Sequence, residues 1–384
     1  MSEINPVPGP ATIIPPSRWR RTGRLLLPAL VVSVVYFLFI GYPPLRLLAL
    51  VQSGAQGADW QPGTLILLTV LVLPILLRLA AEWLPGAAGR TLAAAVMTWF
   101  GIAFVAFLPV AGFDLIDTVA SVVAVPLPRP LSGWVLLAIV LLLTVVGLVN
   151  AQRLVVREIE VAVPVELSAQ VGGTRLVQVS DVHVGSRSGR FLDRIVHRVN
   201  ALPADVVLIT GDLVDFANVA QEELASLARL RAPVFFAIGN HERYVDLEAI
   251  CTRLTNLGVR VLRNAAVEYG ALQIIGIDDA DPRTQVGRVL PYLMPDPQRY
   301  RVLMYHRPDG AQDAADWGVH LMLCGHTHNG QIVPFQLLVR RVFPRICGVY
   351  RLGPLTLHVS PGTGTWGPVL RLGSRCEITR ITLV

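Results

Sequence analysis

The feature that most restricts this fold is the stretch from Leu25 to Asn150, where long apolar runs are almost free of charge, whereas later apolar runs are only strand-length. The hydrocarbon core of a bilayer, roughly 30 Å thick, is crossed by about 20 helical residues. Four runs have that length, near 25–42, 62–82, 91–112 and 132–150. A hydrophobic content of 53% agrees with a membrane part joined to a soluble one. A fifth piece, Leu115–Pro128, is shorter and contains Asp117, so it is read as a loop or interfacial segment. Arg78 and Glu82 lie one turn apart near the end of the second run, where they can pair or snorkel.

These contrasts divide the chain. Residues 1–24 are expected to form a Pro-rich, disordered cytoplasmic tail, 25–150 the transmembrane helical region, 151–173 a linker and first strand, and 174–384 the soluble domain. The basic residues are all arginines. Arg18, Arg20, Arg21 and Arg24 precede the first run, Arg78 and Arg90 flank the second turn, and Arg153 and Arg157 follow the fourth; the other side has Arg46 and Arg129. Positive residues stay on the cytoplasmic side, so both termini and the soluble domain are expected there. The Arg20-Arg21 pair ahead of an apolar stretch also fits an export signal, which would place the domain outside the cytoplasm. No small-residue cleavage site follows it.

The net charge of +6 is spread over both halves without a dense basic run, so no nucleic-acid partner is expected. Cys251, Cys324, Cys347 and Cys376 are far apart and form no C-x-x-C pair, which argues against a disulfide frame or a zinc finger.

From Thr174 onward, short β-branched and leucine-rich runs each end in residues able to bind a metal. "TRLVQVS" runs into Asp181 and His183, "DVVLIT" into Asp212, "VFFAI" into Asn240 and His241, "RVLMY" into His306, and "LMLC" into His326 and His328. Helical stretches such as Phe191–Leu202 and Leu247–Leu257 lie between them, a strand and helix order that implies a largely parallel sheet. In such sheets the C-terminal strand ends share one edge and form the site. After residue 330 the helical rhythm fades, and "VYRLG", "LTLHVS" and "CEITRITLV" are read as a second, more antiparallel sheet. The expected class is α/β, a two-sheet β-sandwich flanked by helices and preceded by about four transmembrane spans.

The strand-end set mixes carboxylate, amide oxygen and imidazole without thiolate. That mixture suits Mn, Fe, Zn or Mg, and it exceeds what one ion needs. Two divalent ions bridged by a carboxylate would use all of it, the arrangement that serves in-line phosphoryl displacement. Residues two apart in extended backbone point the same way, so Asp181 with His183, and His326 with His328, can each present both side chains to one side.

In order, D-x-H, G-D-x-x-D, G-N-H-E, a lone H and G-H-T-H resemble the calcineurin-like metallophosphoesterases over about 174–384. "GQIVPF" and "CEITRITL" are similar to the bacterial membrane-associated phosphodiesterase branch, which implies a multi-pass bacterial membrane protein. The resemblance implies that Asp181, His183 and His328 bind one ion, that Asn240, His306 and His326 bind the other, and that Asp212 bridges. A bridging hydroxide would then attack phosphorus in a phosphodiester, lipid-linked or pyrophosphate bond. His241, left over by the ligand count, is the expected proton donor to the leaving oxygen, and Asp215 the group that orients it.

Arg187, just past the first cluster, is weighed as a phosphate contact, although loop arginines are as a rule only solvated. Asn329 stands where a turn calls for positive φ, which Asn tolerates. "GTGTWG" (362–367) matches G-x-G-x-x-G but runs into Pro368 rather than a helix, so it is read as an active-site or sheet-edge loop, with Trp366 facing substrate or membrane. His197, His320 and His358 are read as structural. The uncharged span centres point to anchoring, which places the enzyme near amphiphilic phosphoesters. A non-catalytic membrane sensor that binds phosphorylated ligands is the alternative.

Overall fold

The structure is a computed structural model and describes residues 31–56, 63–125, 127–280 and 283–384. The expected tail and the start of the first run lie outside the described residues. Four helices are long and apolar enough to cross a membrane: Val31–Gln52 (α1), Thr64–Trp83 (α2), Gly86–Val122 (α3) and Leu131–Gln152 (α4). α1 runs past the expected end at residue 42. A wider turn at Phe37–Gly41 precedes Pro43 and Pro44 and absorbs their missing backbone donors.

The segment after Leu115, expected to be a loop or interfacial piece, instead prolongs α3 as far as Val122. Its Asp117 lies 3.7 Å from Arg129, and Asp114, just before it, meets Arg46 of α1 at 2.7 Å. Neutralising partners from other helices remove the penalty that made a break look necessary. Arg78 and Glu82 are paired at 3.2 Å.

α4 ends at Gln152, and β1 (Leu154–Val161) begins two residues later. The soluble part is a sandwich of two mixed six-stranded sheets. The further strands are β2 (Arg175–Val179), β3 (Val206–Thr210), β4 (Val234–Ala237), β5 (Val259–Leu262), β6 (Ala265–Tyr269), β7 (Leu272–Ile277), β8 (Tyr300–Tyr305), β9 (Leu321–Cys324), β10 (Gly348–Leu352), β11 (Leu355–Val359) and β12 (Cys376–Leu383). One sheet has the order β1-β12-β2-β3-β4-β5, the other β10-β11-β9-β8-β7-β6.

The division between sheets differs from the sequence reading. β8 and β9 belong to the second sheet, parallel to β7 and β11, so that sheet is parallel at its centre. β12 sits in the first sheet, parallel to β1 and antiparallel to β2. Hydrophobic pattern marks a strand as buried on both faces but does not say which neighbour it takes. Within β2 and β3 the period of two is visible in the packing. Leu176, Val206 and Leu208 fill the space between the sheets, while Val177, Val207 and Ile209 face the helix Gly189–Asn200 (α5) with its Phe191 and Ile195.

The membrane region and the sandwich are packed together by the chain before β12. Leu370 is fully buried and clusters with Val105 of α3 and with Ile332. Arg371 donates its N–H to the Gly147 carbonyl of α4 at 2.9 Å, and Val369 donates to Thr98 Oγ1 of α3 at 3.1 Å. Nearer the start of α3, Arg90 reaches the Asn218 carbonyl at 2.9 Å and Glu223 at 2.5 Å. A Cβ on Gly147 would lie 2.7 Å from Leu370 Cγ, whereas one on Gly112 meets nothing within 4 Å. Overpacking of this kind costs about 1–3 kcal/mol. Gly147→Val is therefore expected to lower the unfolding temperature of the detergent-solubilised protein by several degrees, with Gly112→Val near wild type; equal melting of the two variants would contradict the packing.

Candidate metal centre

The five strand-end clusters converge on one edge of the sandwich, with β2, β3 and β4 supplied by the first sheet and β8 and β9 by the second. The backbone there is not extended. Asp181, His183, Asp212, His326 and His328 have φ of 54°, 58°, 51°, 70° and 49°, all left-handed. The expectation that alternation along a strand aims these side chains fails for that reason, and left-handed turns aim them instead. Single residues of this kind are strained unless the surroundings hold them. Asn329 also has positive φ, 50°.

Glu242 supplies much of the holding. Fully buried, its carboxylate accepts N–H groups from Asp212, Leu213, Val214 and Gly239 at 2.7–3.0 Å, which locks the β3 and β4 loops together. Burial, and then the charge of Asp212, push this carboxyl up to about 7. Hydrogen bonds fix the carboxylates too. Asp181 Oδ1 accepts the His326 N–H and Asp212 Oδ1 accepts the His241 N–H, both at 2.9 Å.

The histidine rings fall into two groups. His183 Nε2 and His328 Nε2 are 3.1 Å apart, with Asp181 Oδ1 3.4 Å from the latter. His326 Nδ1 and His306 Nε2 are 3.2 Å apart, with Asp212 Oδ2 3.0 Å from His306. Asp212 Oδ2 also lies 4.0 Å from His183 Nε2, so it faces both groups. The outer ring nitrogens are anchored: His306 Nδ1 donates to the Thr210 carbonyl at 2.8 Å, and His183 Nδ1 lies 2.5 Å from Asp215. Each such anchor leaves Nε2 with a lone pair aimed inward, the arrangement metal-ligating histidines use.

Asp215 does more than the sequence reading assigned to it. The same oxygen that receives His183 lies 2.8 Å from His241 Nδ1, and Ser186 Oγ donates to the other at 2.6 Å. Burial disfavours the Asp215 charge, but the His183 charge and both histidine hydrogen bonds outweigh it and hold the carboxyl well below its usual range.

The donor set fits divalent cations. Asp181 Oδ2 and Asn240 Oδ1 are buried without a hydrogen-bond partner among the described residues. Pairs of imidazole nitrogens facing each other at 3.1–3.2 Å need something positive between or beside them. The local potential is strongly negative. Although burial opposes it, Asp215 pushes His183 up to about 9, and Asp212 pushes His306 up to about 10. His326 is pushed down to about 3 by burial and then by His306, and His328 is lowered by burial and then by His183, so both rings are neutral.

The structure thus brings together Asp181, His183, Asp212, Asp215, Asn240, His241, His306, His326 and His328. Glu242 and Arg371 were given no role from sequence. Arg371 is fully buried behind His328 and donates to the Pro361 and Gly364 carbonyls at 2.8 and 2.6 Å. Its place as the last residue of G-N-H-E is the signal that could have marked Glu242; no local signal marks Arg371. The 362–367 loop packs here as well: a Cβ on Gly362 would lie 3.1 Å from both Asp181 Cβ and His328 Nδ1. Arg187 is not among the residues gathered here, and it is buried rather than solvated. His358 and His320 bond to Gln178 and to the Arg301 N–H, outside the site.

Loading of cations must displace the protons that the raised His183 and His306 hold below pH 9. Titration of chelator-stripped protein with Mn²⁺ at pH 7.5, in two buffers of different ionisation enthalpy, is expected to release about two protons as the site fills. Binding without proton release would contradict the electrostatics described above.

Comparison with known proteins agrees with this geometry. Residues 174–330 match the calcineurin-like phosphoesterase family model. The chain is 36% identical over 272 residues to a transmembrane protein with metallophosphoesterase domain from Danio rerio, covering 64% of this chain and 61% of that protein. It is 33% identical to an uncharacterized metallophosphoesterase of Helicobacter pylori, covering 55% of this chain and 60% of the relative. With an uncharacterized metallophosphoesterase of Aquifex aeolicus it shares 34% identity, covering 54% of this chain and 84% of the relative. The chain therefore spans about three-fifths of the first two relatives and most of the third. With its strand-end clusters and four apolar helices, this chain belongs to the calcineurin-like metallophosphoesterases.

Proposed function

We propose that the protein is a membrane phosphodiesterase with a two-ion centre, acting on the phosphodiester or pyrophosphate of a lipid-linked substrate. One observation carries the lipid-linked part. A cavity of about 750 Å³ has Asp212, Asn240, His241, His326 and His328 at one end, and Val35, Tyr36 and Phe39 of α1 with Phe100 and Phe104 of α3 at the other. A molecule filling it has its phosphate at the metal centre and its hydrocarbon along membrane helices. The helices then form part of the substrate site as well as an anchor. Among the described residues no arginine lines the cavity, which suits a singly charged diester better than a dianionic monoester.

In this reading Asp181, His183 and His328 hold one ion, Asn240, His306 and His326 the other, and Asp212 faces both. When bound, such a pair supplies Lewis acidity toward phosphate oxygens and lowers the pKa of water. The remaining steps belong to the chain. His241 has a side chain 19% exposed, against 0% for His183 and His306, so of these three it is the imidazole open to substrate. Asp215 takes its Nδ1–H, fixes the ring and stabilises the imidazolium, so Nε2 can deliver a proton to the leaving oxygen. Asp215 ties the same oxygen to His183, so one carboxylate sets both the ligand ring and the acid. Phe335, Phe343 and Trp366 line the cavity and limit water near the reacting phosphate.

The solubilised full-length protein with Mn²⁺ is expected to show kcat/KM rising with alkyl-chain length across a series of phosphodiesters, up to about fourfold per buried methylene. Val35→Trp, which fills the cavity, should lower the ratio of long-chain to aryl-diester turnover about tenfold. His241→Ala and Asp212→Asn should each lower turnover of both substrates by about 100-fold or more. A flat chain-length profile would refute the lipid-linked reading alone; no metal-dependent turnover of any phosphoester would favour a sensor.

The arginine distribution supports a cytoplasmic placement of the soluble domain. A reporter fused after Val384 should be active in the cytoplasm; activity on the opposite side would reverse the topology.

A further inference from the structure

A second cavity, of about 550 Å³, lies where the membrane helices meet the sandwich and is separate from the metal centre. One wall is the start of α3, with Ala87, Thr91 and Ala94; Gln152 at the end of α4 and the 185–191 segment close the rest. Four arginines line it, Arg90, Arg187, Arg190 and Arg194, against one carboxylate, Glu223, which Arg90 already engages at 2.5 Å.

Arg187 is the informative one. It is 3% exposed and has no carboxylate partner among the described residues. Its Nη2 donates to the Ala151 carbonyl at 2.9 Å and lies 3.3 Å from Gln152 Oε1, and its guanidinium lies 3.8 Å from the centre of the Phe191 ring. Nε and Nη1 have no hydrogen-bond partner among the described residues. A buried guanidinium without a counter-charge is costly, and this one faces further positive charge from Arg190 and Arg194. α5, twelve residues long, opens at the same cavity behind Ser188, adding the positive end of its dipole.

We propose that this cavity binds the phosphate of an anionic membrane lipid. The missing counter-charge is supplied by the ligand, which sits beside the buried Arg187 and takes hydrogen bonds from the exposed Arg190 and Arg194. The source is a lipid because the walls are the first turns of α3 and the last residue of α4, the depth at which headgroups lie, and because Ala87, Ala94, Phe191 and Val369 offer apolar surface beside the arginines. The site is independent of the catalytic reading: its occupant is held, not cleaved.

The test is native mass spectrometry of the full-length protein released from detergent containing equal phosphatidylglycerol and phosphatidylcholine. Wild type should retain phosphatidylglycerol at least about tenfold over phosphatidylcholine, and the exposed pair Arg190→Gln/Arg194→Gln should lose about tenfold of that preference. Arg187→Gln should lose as much; the double variant decides the matter if Arg187→Gln does not fold. Asp212→Asn, which alters only the metal centre, should keep the preference. Retention that ignores the arginines, or that disappears in Asp212→Asn, would overturn the site. Displacement of the lipid by inorganic phosphate at a similar concentration would overturn the lipid as its source.

Discussion

The buried carboxylate of Glu242 is the interaction on which the rest of the site depends. Five residues able to hold metal stand in left-handed backbone, which a free loop would leave at once. By gathering N–H groups from residues 212–214 and from Gly239, Glu242 turns two strand-end loops into one rigid corner. Asp212 is part of that corner and His241 follows it directly. The positions of the central carboxylate and of the exposed imidazole are thus set by a residue that touches neither reacting atom. Asp215 adds a second tie, since one of its oxygens serves both His183 and His241.

The two sheets explain why the site can exist at an edge. β2, β3 and β4 end in one layer, β8 and β9 in the other, and the facing ends are about a side chain apart. Asp212 Oδ2, 3.0 Å from His306, joins residues of different sheets. The sandwich core beneath, with Leu208, Phe235, Val302 and Leu323, sets that spacing. Deeper still, Gln178 bonds Thr210, the Cys324 carbonyl and His358, linking strands from both layers.

Much of this was legible in the sequence because the information is local. Each candidate metal residue follows a strand within a few residues, and each apolar run has the length of a bilayer. What was not legible depends on distant partners. The left-handed turns are imposed by Glu242 and by loop pairing, so side-chain alternation misled. The extension of α3 depends on Arg46 and Arg129, which lie on other helices. Arg371 acts on His328 across 43 positions of chain, and Val369 meets Thr98 across 271. The burial of Arg187 cannot be read from residue type, since most loop arginines stay in water. The choice of sheet for β8, β9 and β12 likewise awaited the tertiary contacts.

The seam between membrane and soluble parts has a consequence for how the molecule can be divided. α4 passes into β1 through Arg153 alone, and Leu370, wedged against α3 and α4, is fully covered only while those helices are present. A fragment begun at β1 would show that leucine to solvent and strip the Arg371 amide of its Gly147 acceptor. β12, which pairs with β2 ahead of Asp181, would thus start from a torn edge. Sandwich and apolar helices are, in mechanical terms, one packed body.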